Sequence, residues 1–328
     1  MMPKYTNEKG IPLSVAVWLA TDNYQYPPDD GQKYISTTGL LKSVRQIVLS
    51  QRLPASGGGT DDISSKVASR FGTAVHDGIE KSWVENHKQS MLDLGYPQSV
   101  VDRVRVNPED PDEPDIIPVY MEQRFHKKVG DWNVSGQFDF VGEGRLEDFK
   151  STGTFTWVNG TKDEDYIQQG SIYRWGRPDI ITDDTMAIQF LFKDWQAFKA
   201  SDPKYPPGML VEKVYKLKSL VETEAFIKRK LFQVDLHANT AEEKLPHCTD
   251  KELWRGKATW KYYKAGDTTK RATKNFDNPQ EANLRFVKDG SVGVVIEAKP
   301  QPTACKYCNV LGICSQGQSY IKSGDLKL

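Results

Sequence analysis

The sequence predicts an α/β fold, in which helices flank a central mixed sheet and a small α+β appendage follows at the C-terminal end. Strand-like segments at 119–126, 132–141, 145–151 and 185–193 would supply the sheet. A helical segment with an apolar repeat precedes these strands, and another separates the last two. Three of the four cysteines stand close together near the C-terminal end and would close the appendage.

Three segments are expected along the 328 residues. Residues 1–60 would form an N-terminal helical and extended segment, residues 61–244 the core, and residues 245–328 the appendage. The first segment carries a short helix at 38–49 and ends in a glycine-rich link at 56–59.

The first long helix of the core carries the first candidate site residue. Thr60 or Asp61 would cap it. Gly72, His76 and Glu80 form one row along this helix. A neutral imidazole is a common metal ligand, although a helical histidine is more often a satisfied core or surface residue. Apolar residues at every fourth position predict a neighbouring buried stripe: Ile63, Val67, Phe71, Val75, Ile79 and Trp83.

The connections between these elements follow from composition and order. The acidic, proline-rich run 107–115 predicts an exposed loop. The helix that contains 165–173 falls between the last two strands, and therefore predicts a crossover connection. A further helix at about 220–243 would close the core.

The hairpin of the second and third strands carries the central candidate site. If Glu143 and Gly144 form the turn, Asp139 lies directly opposite Asp148, with β-carbons roughly 4.5–5.5 Å apart. Alternation places Lys150 on the same face as Asp148. Two carboxylates this close repel unless a cation lies between them, and oxygen ligands suit Mg²⁺ or Mn²⁺. A solvated sheet face is the competing interpretation. Alternation also places Asp139 on the face opposite to Trp132, Val134, Phe138 and Phe140.

A glutamine and a tyrosine lie one turn apart on the helix that follows the hairpin. Gln169 and Tyr173 share a face of that helix. Such a pair can bind a phosphate or hold Lys150 in place. The competing interpretation is an ordinary half-buried helix face.

The motifs taken together resemble those of the PD-(D/E)xK nuclease superfamily. They are Gly-x-x-x-His from Gly72, Gly-x-x-Asp from Gly136, Asp-x-Lys from Asp148 and Gln-x-x-x-Tyr from Gln169. The resemblance is to the RecB-type exonuclease branch, which includes helicase-linked, CRISPR-adaptation and phage recombination nucleases. It covers roughly residues 60–180 and implies a restriction-endonuclease-like core.

The resemblance implies a role for each motif residue. Lys150 would contact the scissile phosphate or position the attacking water, and Gln169 and Tyr173 would support the substrate and Lys150. Glu122 would add an outer carboxylate. The metal ligands would be His76, Asp139, Asp148 and the main-chain carbonyl of Phe149.

The cysteines are an independent signal for a metal. Cys305 and Cys308 form a Cys-x-x-Cys pair, Cys314 follows, and Cys248 or His247 could complete a set of four donors. Four thiolates suit an iron–sulfur cluster or Zn²⁺. Several RecB-type nucleases carry a 4Fe–4S cluster on a comparable run, but their fourth cysteine usually precedes the nuclease core. Free thiols or disulfides are the competing interpretation, and disulfides are disfavoured in a reducing cytoplasm.

The overall charge does not identify a partner. Lysines and arginines number 44, as do the acidic residues, so the net charge is zero and neither favours nor excludes nucleic-acid binding. The stretch 251–274 interleaves cations with aromatics, which predicts either nucleic-acid contacts or a protected edge strand. The apolar run 15–20 is too short for a signal peptide or a membrane span, so a cytoplasmic protein without membrane contacts is expected.

The sequence therefore predicts a metal-dependent DNA exonuclease. The resemblance implies a phage or prophage protein that processes DNA in recombination or repair in a bacterial host. A helicase or a single-strand annealing protein would be the protein partner. Some phage-type relatives form rings around DNA, so homo-oligomer formation stays open. The alternatives are a non-catalytic DNA-binding or assembly module, and a nuclease subunit active only with its partner.

Overall fold

The computed structural model divides the chain into two compact units. The sheet unit consists of Met1–Leu41 and Gly57–Leu231, and the cysteine unit of Lys42–Ser56 and Phe232–Leu328. The structure describes residues 4–21, 27–28, 30–53, 61–111 and 113–328.

The helices and strands are numbered in chain order. The strands are β1 (Tyr5–Thr6), β2 (Lys33–Ser36), β3 (Asp61–Asp62), β4 (Val104–Val106), β5 (Ile117–Val129), β6 (Trp132–Gly142), β7 (Arg145–Thr152), β8 (Thr185–Phe192), β9 (Leu210–Lys216), β10 (Thr259–Tyr263), β11 (Lys274–Phe276) and β12 (Val294–Ala298). The helices are α1 (Leu13–Ala20), α2 (Thr37–Leu40), α3 (Val44–Gln51), α4 (Val67–Asp93), α5 (Gln98–Val101), α6 (Thr154–Asn159), α7 (Asp163–Gly176), α8 (Leu220–His237), α9 (Pro279–Lys288) and α10 (Ser315–Ser323).

The sheet unit contains a seven-stranded mixed sheet. Its order is β4-β5-β6-β7-β8-β9, and β2 also pairs with β6. The pairs β4/β5, β2/β6 and β7/β8 are parallel, and the others are antiparallel. Helices α4 and α7 contact this sheet. The predicted mixed sheet with flanking helices is confirmed, as is the crossover through α7 between the parallel strands β7 and β8.

The predicted hairpin register is also confirmed. Phe140 pairs with Glu147 and Gly142 with Arg145. The turn residues Glu143 and Gly144 both have a positive φ, at 50° and 82°, as a two-residue turn of this hand requires. The β6/β7 ladder ends at the Phe140–Glu147 pair, and the first residues of β6 pair with β2 instead. Strands β6 and β7 are therefore no longer paired at Asp139 and Asp148.

Strict alternation along β6 fails at Asp139. Asp139 approaches His76 of α4, yet its neighbour Phe140 also faces α4, with its ring 5.2 Å from that of Trp83. The reason is a local break in the β5/β6 ladder, which pairs the residues on either side of Glu122 and Asp139 but not these two. Glu122 has a φ of 49°, in the left-handed region. The predicted separation of Asp139 and Phe140 onto opposite faces is therefore wrong.

The predicted stripe of α4 is only partly covered, since no residue of this helix is fully buried. Ile79 and Trp83 pack against a core of sheet residues. Val67 and Phe71, in the first half, are 48% and 45% exposed, because only the later turns cover this core. Ile63 is buried but precedes α4, in a short 3-10 turn. The core consists of Val104, Val119, Met121, Phe140 and Phe149.

Several boundaries differ from the expected ones. Asp62 rather than Asp61 caps the turn before α4, since its carboxylate accepts from the Ser64 amide. Thr60 and the link at 56–59 lie outside the described residues. The helix expected at 38–49 is divided into α2 and α3, because the Ser43 hydroxyl caps a new helix by accepting from the Gln46 amide.

The other connections agree more closely with expectation. The acidic run at 107–115 connects β4 to β5, and α8 ends at His237 rather than near 243. Strands β2, β4 and β9 are additional to the predicted four. None of the helices in the described ranges has both the length and the apolar character needed to cross a membrane.

The cysteine unit has two small cores. In the first, α9 packs on the three-stranded sheet β11-β10-β12 through Tyr262, Phe276 and Ala282. The second contains Leu253 and Cys305. The segment Lys42–Ser56, expected in the N-terminal part, belongs to this unit because Arg45 of α3 is buried there and donates to the carbonyl of Leu245.

Gly136 of β6 provides a test of how closely α7 approaches the sheet. A β-carbon at this position would lie 2.6 Å from Phe125 and 2.9 Å from Tyr173, and would also strike Thr37. We expect Gly136→Ala to lower the free energy of unfolding by about 1–3 kcal/mol, because a filled core resists an added methyl group. Urea denaturation would measure the change.

Gly78 of α4 is the matched control, because a β-carbon there meets nothing within 4 Å. Gly78→Ala should stabilise the protein by roughly 0.5–1 kcal/mol through its higher helix propensity. Equal stability of wild type and Gly136→Ala would show that α7 does not hold the sheet at this position.

Candidate functional site

Three neighbouring strands each contribute one acidic side chain to the region around Asp139, where β6 is paired with neither β5 nor β7. We call this region the gap. Glu122 of β5 and Asp139 of β6 occupy facing positions at the break in their ladder. Asp148 of β7 lies one position beyond the last β6/β7 pair, in register with Asp139. Asp139 is 7% exposed and Asp148 only 1%. Buried carboxylates are unfavourable unless positive charge or hydrogen bonds compensate them, so the gap requires such partners.

His76 of α4 joins two of these acids. Its Nδ1 lies 3.5 Å from Oε1 of Glu122 and 3.5 Å from Oδ1 of Asp139. Its Nε2 lies 3.0 Å from the main-chain carbonyl of Phe149. One ligand atom from each of His76, Glu122 and Asp139 lies within 4.8 Å of the other two. In the described ranges, no other set of three or more histidine, cysteine, aspartate or glutamate side chains is as closely spaced.

The gap also satisfies the freed backbone of β7. The Phe149 amide, which has no β6 partner beyond the end of the ladder, donates to Oδ2 of Asp139 at 2.8 Å. The Phe149 carbonyl meets the imidazole of His76. Asp139 and His76 therefore take the place of the β6 backbone as hydrogen-bond partners of Phe149, and His76 also fixes the position of its carbonyl.

Asp148 is paired differently from Asp139. It forms an ion pair with the ammonium group of Lys150 two residues later, as expected for side chains on one face of a strand. Neither of its buried oxygens accepts a hydrogen bond from the described part of the chain, and Oδ1 has no polar partner at all. An orphaned, buried carboxylate oxygen of this kind calls for a cation or a donor from a ligand.

Opposite charges hold the cluster together. Burial and the charge of Asp148 raise the pKa of Asp139 to about 7, against the opposing effect of Lys150. Burial lowers the pKa of His76, but Glu122 and Asp139 outweigh it and raise that pKa to about 9. Burial likewise opposes the charge on Lys150, yet Asp148 and Asp139 raise its pKa, so its ammonium group stays protonated. His76 and Lys150 are the two cations that neutralise the acids.

Helix α7 contributes a polar row beside Asp148 and Lys150. Gln169 donates from Nε2 to the hydroxyl of Tyr173 at 2.9 Å. Tyr173 is buried, and burial together with the charges of Asp148 and Asp139 raises its pKa well above the usual range. The ring of Tyr166, two turns before Tyr173, lies 5.8 Å from the ammonium of Lys150.

The structure places the sequence-predicted residues in two adjoining sets. His76, Asp139 and the Phe149 carbonyl meet in one, and Asp148 and Lys150 form the other. Glu122, expected as an outer carboxylate, directly contacts His76. Tyr166 is an addition, and its position seven residues before Tyr173, on the same side of α7, is the signal that could have indicated it.

All four cysteines lie in the cysteine unit. Cys305 and Cys308 stand in and just after a short 3-10 turn, and Cys314 caps α10, with its sulfur accepting from the Gly317 amide. Buried Gln316 draws Cys248 to the same place, because its amide group bonds both the N–H and the carbonyl of Cys248.

Ser43, which precedes α3, and Arg45, which lies within it, each contact one of these sulfurs. The guanidinium of Arg45 is buried, donates from Nε to Cys314 Sγ at 3.2 Å and pairs with Glu242. Cys248 Sγ lies 3.2 Å from the Ser43 hydroxyl. These contacts explain why the segment Lys42–Ser56 belongs to the cysteine unit.

The thiols influence one another electrostatically. Burial and the charges of Cys308, Cys248 and Cys314 raise the pKa of Cys305 to about 11. All four cysteines are free of disulfides. His247, the alternative fourth donor, is exposed.

The two sites have different chemical capacities. Carboxylate and carbonyl oxygens are hard donors that suit Mg²⁺ or Mn²⁺, whereas the imidazole nitrogen is a borderline donor that suits transition metals. Four thiols form a soft set, which suits zinc or iron–sulfur clusters.

Comparison with known proteins adds little to this description. No protein-family model matches the sequence, and no curated protein is significantly similar to it. Among the solved structures to which the chain is similar is the crystal structure of SSO0001, with 14% sequence identity and a TM-score of 0.39. The similarity covers 66% of this chain and 80% of that one. At this level it carries no conclusion about function.

Proposed function

We propose that this chain is a metal-dependent DNA exonuclease of the RecB type within the PD-(D/E)xK superfamily. The sheet unit would be its restriction-endonuclease-like core, and the C-terminal part of the cysteine unit its appendage. One observation carries the proposal. The ion pair of buried Asp148 and half-buried Lys150 lies beside the compact set of His76, Glu122 and Asp139.

The residues present fit a divalent cation. His76, Glu122 and Asp139 would hold it, and the orphaned oxygen of Asp148 is a further available ligand. The sequence resemblance adds the Phe149 carbonyl, which in the metal-free protein bonds the opposite imidazole nitrogen, Nε2. Mg²⁺ or Mn²⁺ bound there would lower the pKa of the attacking water and stabilise negative charge on the phosphate. In the metal-free protein, protons on His76 and Asp139 would neutralise the negative charge that the cation neutralises when it is bound.

Lys150 would act on the phosphodiester directly. Its raised pKa keeps it cationic, so it can bind a non-bridging phosphate oxygen and stabilise charge that develops there. Asp148 limits the positions available to this ammonium group through their ion pair. Gln169, Tyr173 and Tyr166 line the α7 side of the pair, and would hold Lys150 and the substrate in place.

For the cysteine unit we propose a 4Fe–4S cluster bound by Cys248, Cys305, Cys308 and Cys314. The run from Cys305 to Cys314 is comparable to that of RecB-type nucleases that carry such a cluster, which favours it over Zn²⁺.

The biological setting is proposed on the sequence resemblance alone. DNA would be the substrate, and a helicase or single-strand annealing protein the partner. The protein would act in phage or prophage DNA recombination or repair, in the cytoplasm of a bacterial host.

The nuclease proposal is tested by removing each member of the central ion pair. Asp148→Asn and Lys150→Met should each lower Mn²⁺-dependent hydrolysis of linear DNA by about 10²–10³-fold, because each removes charge stabilisation at the reacting phosphate. The double variant should be equally inactive and better folded, since it leaves no unpaired buried charge. Release of nucleotides measures activity, and circular dichroism measures folding.

Asp184→Asn and Lys216→Met are matched controls. They break a 3.7 Å ion pair of the same chemistry whose side chains are exposed, and they should keep full activity. Undiminished hydrolysis by both folded single variants would reject the site. DNA binding without hydrolysis by the wild type would favour a non-catalytic module, and hydrolysis only with an added helicase or annealing protein would favour a partner-dependent subunit.

Metal binding should depend on pH through His76 and Asp139. The cation must displace protons from groups whose pKa values are about 9 and 7, so Mn²⁺ affinity should rise by up to about tenfold per pH unit between pH 7 and 9. The metal-free protein should lose stability over this same window. His76 has a folded pKa above its unfolded one, so the stability it adds below about pH 6.5 is lost as pH rises to 9.

Titration calorimetry of the metal-free protein would measure affinity and released protons. His76→Gln should remove most of the rise between pH 7 and 9, whereas His126→Gln, an exposed histidine on β5, should leave it intact. An affinity independent of pH in the wild type would contradict metal binding by this imidazole.

The cluster proposal is tested on anaerobically purified protein. We expect a visible iron–sulfur absorbance and roughly four irons and four sulfides per chain. Cys308→Ser should lose both, whereas Ser323→Ala at the exposed end of α10 should retain them. Colourless wild-type protein with one zinc per chain would overturn the choice of cluster.

A further inference from the structure

The central strand of the cysteine unit's sheet has one covered face and one open face. Trp260 and Tyr262 of β10 pack toward the core that α9 covers. Lys261 and Tyr263 alternate with them and therefore point to the other side. Around these two residues lies an open cleft of about 540 Å³. We call it the basic cleft, and its polar lining includes Lys261, Tyr263, Lys270, Arg271, Lys274 and Asn275.

The basic cleft has an unbalanced positive charge. Four of its lining residues are cations, and none is acidic. Lys270 has a carboxylate partner, Asp267, at 3.5 Å. For Lys261, Arg271 and Lys274, no carboxylate of the described chain lies within 4.0 Å. Several cations gathered in one concave place repel one another, so the cleft favours a ligand with several negative charges.

Protection of an edge strand does not account for this arrangement. Strand β11 is at the edge of its sheet, so Lys274 could serve to prevent association with other strands. Lys261, however, lies on β10, which has β11 on one side and β12 on the other. A lysine on the face of a central strand protects no edge, and Arg271 belongs to the loop between β10 and β11. A ligand that bridges strand and loop explains Lys261 and Arg271 together.

The shape of the lining indicates which polyanion fits. The backbone register places Lys261 opposite Asn275 on the open face, whereas Lys274 lies opposite Tyr262, with its ammonium group 5.2 Å from the Phe276 ring, and borders the cleft from the edge strand β11. Tyr263 offers a half-buried aromatic ring two residues from Lys261. Cations that follow successive phosphates beside an aromatic ring are the features by which proteins bind unpaired polynucleotides.

We propose that the basic cleft binds the phosphates of single-stranded DNA, with Tyr263 against a base. This inference rests on the proposed function for its choice of DNA, but concerns a binding site separate from the hydrolytic residues. The cleft would hold the strand whether or not the chain cleaves it.

The test measures binding of fluorescein-labelled oligothymidine to the full chain by anisotropy, with EDTA present so that hydrolysis cannot occur. The triple variant Lys261→Gln/Arg271→Gln/Lys274→Gln should bind at least about tenfold more weakly at 0.1 M salt. The slope of log affinity against log salt should decrease in magnitude by about 2, since three phosphate contacts at about 0.7 each are lost. Tyr263→Ala should weaken binding by about tenfold, but should not affect an abasic oligomer.

A control variant separates the cleft from net charge. Lys288→Gln/Lys306→Gln/Lys322→Gln removes three exposed cations of the same unit outside the cleft, and should change affinity and slope much less. Equal losses in both triple variants would overturn the proposal, as would unchanged binding by the cleft variant. Tighter binding of duplex DNA, or equal competition by polyglutamate per charge, would overturn the assignment to single strands.

The outcome for the cleft is independent of the outcome for hydrolysis. A wild type that binds through the cleft but never cleaves DNA would remove only the nuclease proposal. A wild type that cleaves DNA while the cleft variant binds normally would remove only the cleft.

Discussion

The separation of β6 from β7 is the constraint on which the sheet unit's site depends. Beyond Phe140 the ladder ends, and the backbone groups of Phe149 need other partners. Asp139 supplies an acceptor and His76 an imidazole, so the two residues serve both as hydrogen-bond partners of a strand and as candidate metal ligands. A side chain that replaces a main-chain partner is held firmly, because an unpaired buried amide is costly.

The same gap determines the electrostatics. Burying two carboxylates side by side is unfavourable unless positive charge is supplied, and the protein supplies it from β7 through Lys150 and from α4 through His76. The compensation is incomplete, since Oδ1 of Asp148 has no hydrogen-bond partner among the residues that the structure describes. The left-handed backbone of Glu122 adds local strain next to these charges. A cluster that is both strained and short of positive charge is easier to explain by ligand binding than by folding stability.

In the cysteine unit the corresponding constraint is the buried guanidinium of Arg45. It contacts Cys314, Glu242 and the Leu245 carbonyl, and so connects α3 to residues that follow it by 197 to 269 positions in the sequence. A buried arginine without these partners would be strongly unfavourable. The segment Lys42–Ser56 therefore belongs with the cysteines in space, although sequence order places it before the sheet.

Sequence by itself determined the parts that depend on periodicity and turn chemistry. Alternating strands, the Glu143–Gly144 turn and the hairpin register follow from local rules, as do the crossover helix α7 and the shared face of Asp148 and Lys150. Only the tertiary structure decided where β6 leaves β7, that Asp139 and Phe140 both reach α4, and that Glu122 contacts His76. It also decided which turns of α4 pack against the sheet core and which unit receives Arg45. These outcomes depend on contacts between segments far apart in the chain, and a local pattern of apolar and polar residues has no information about such contacts.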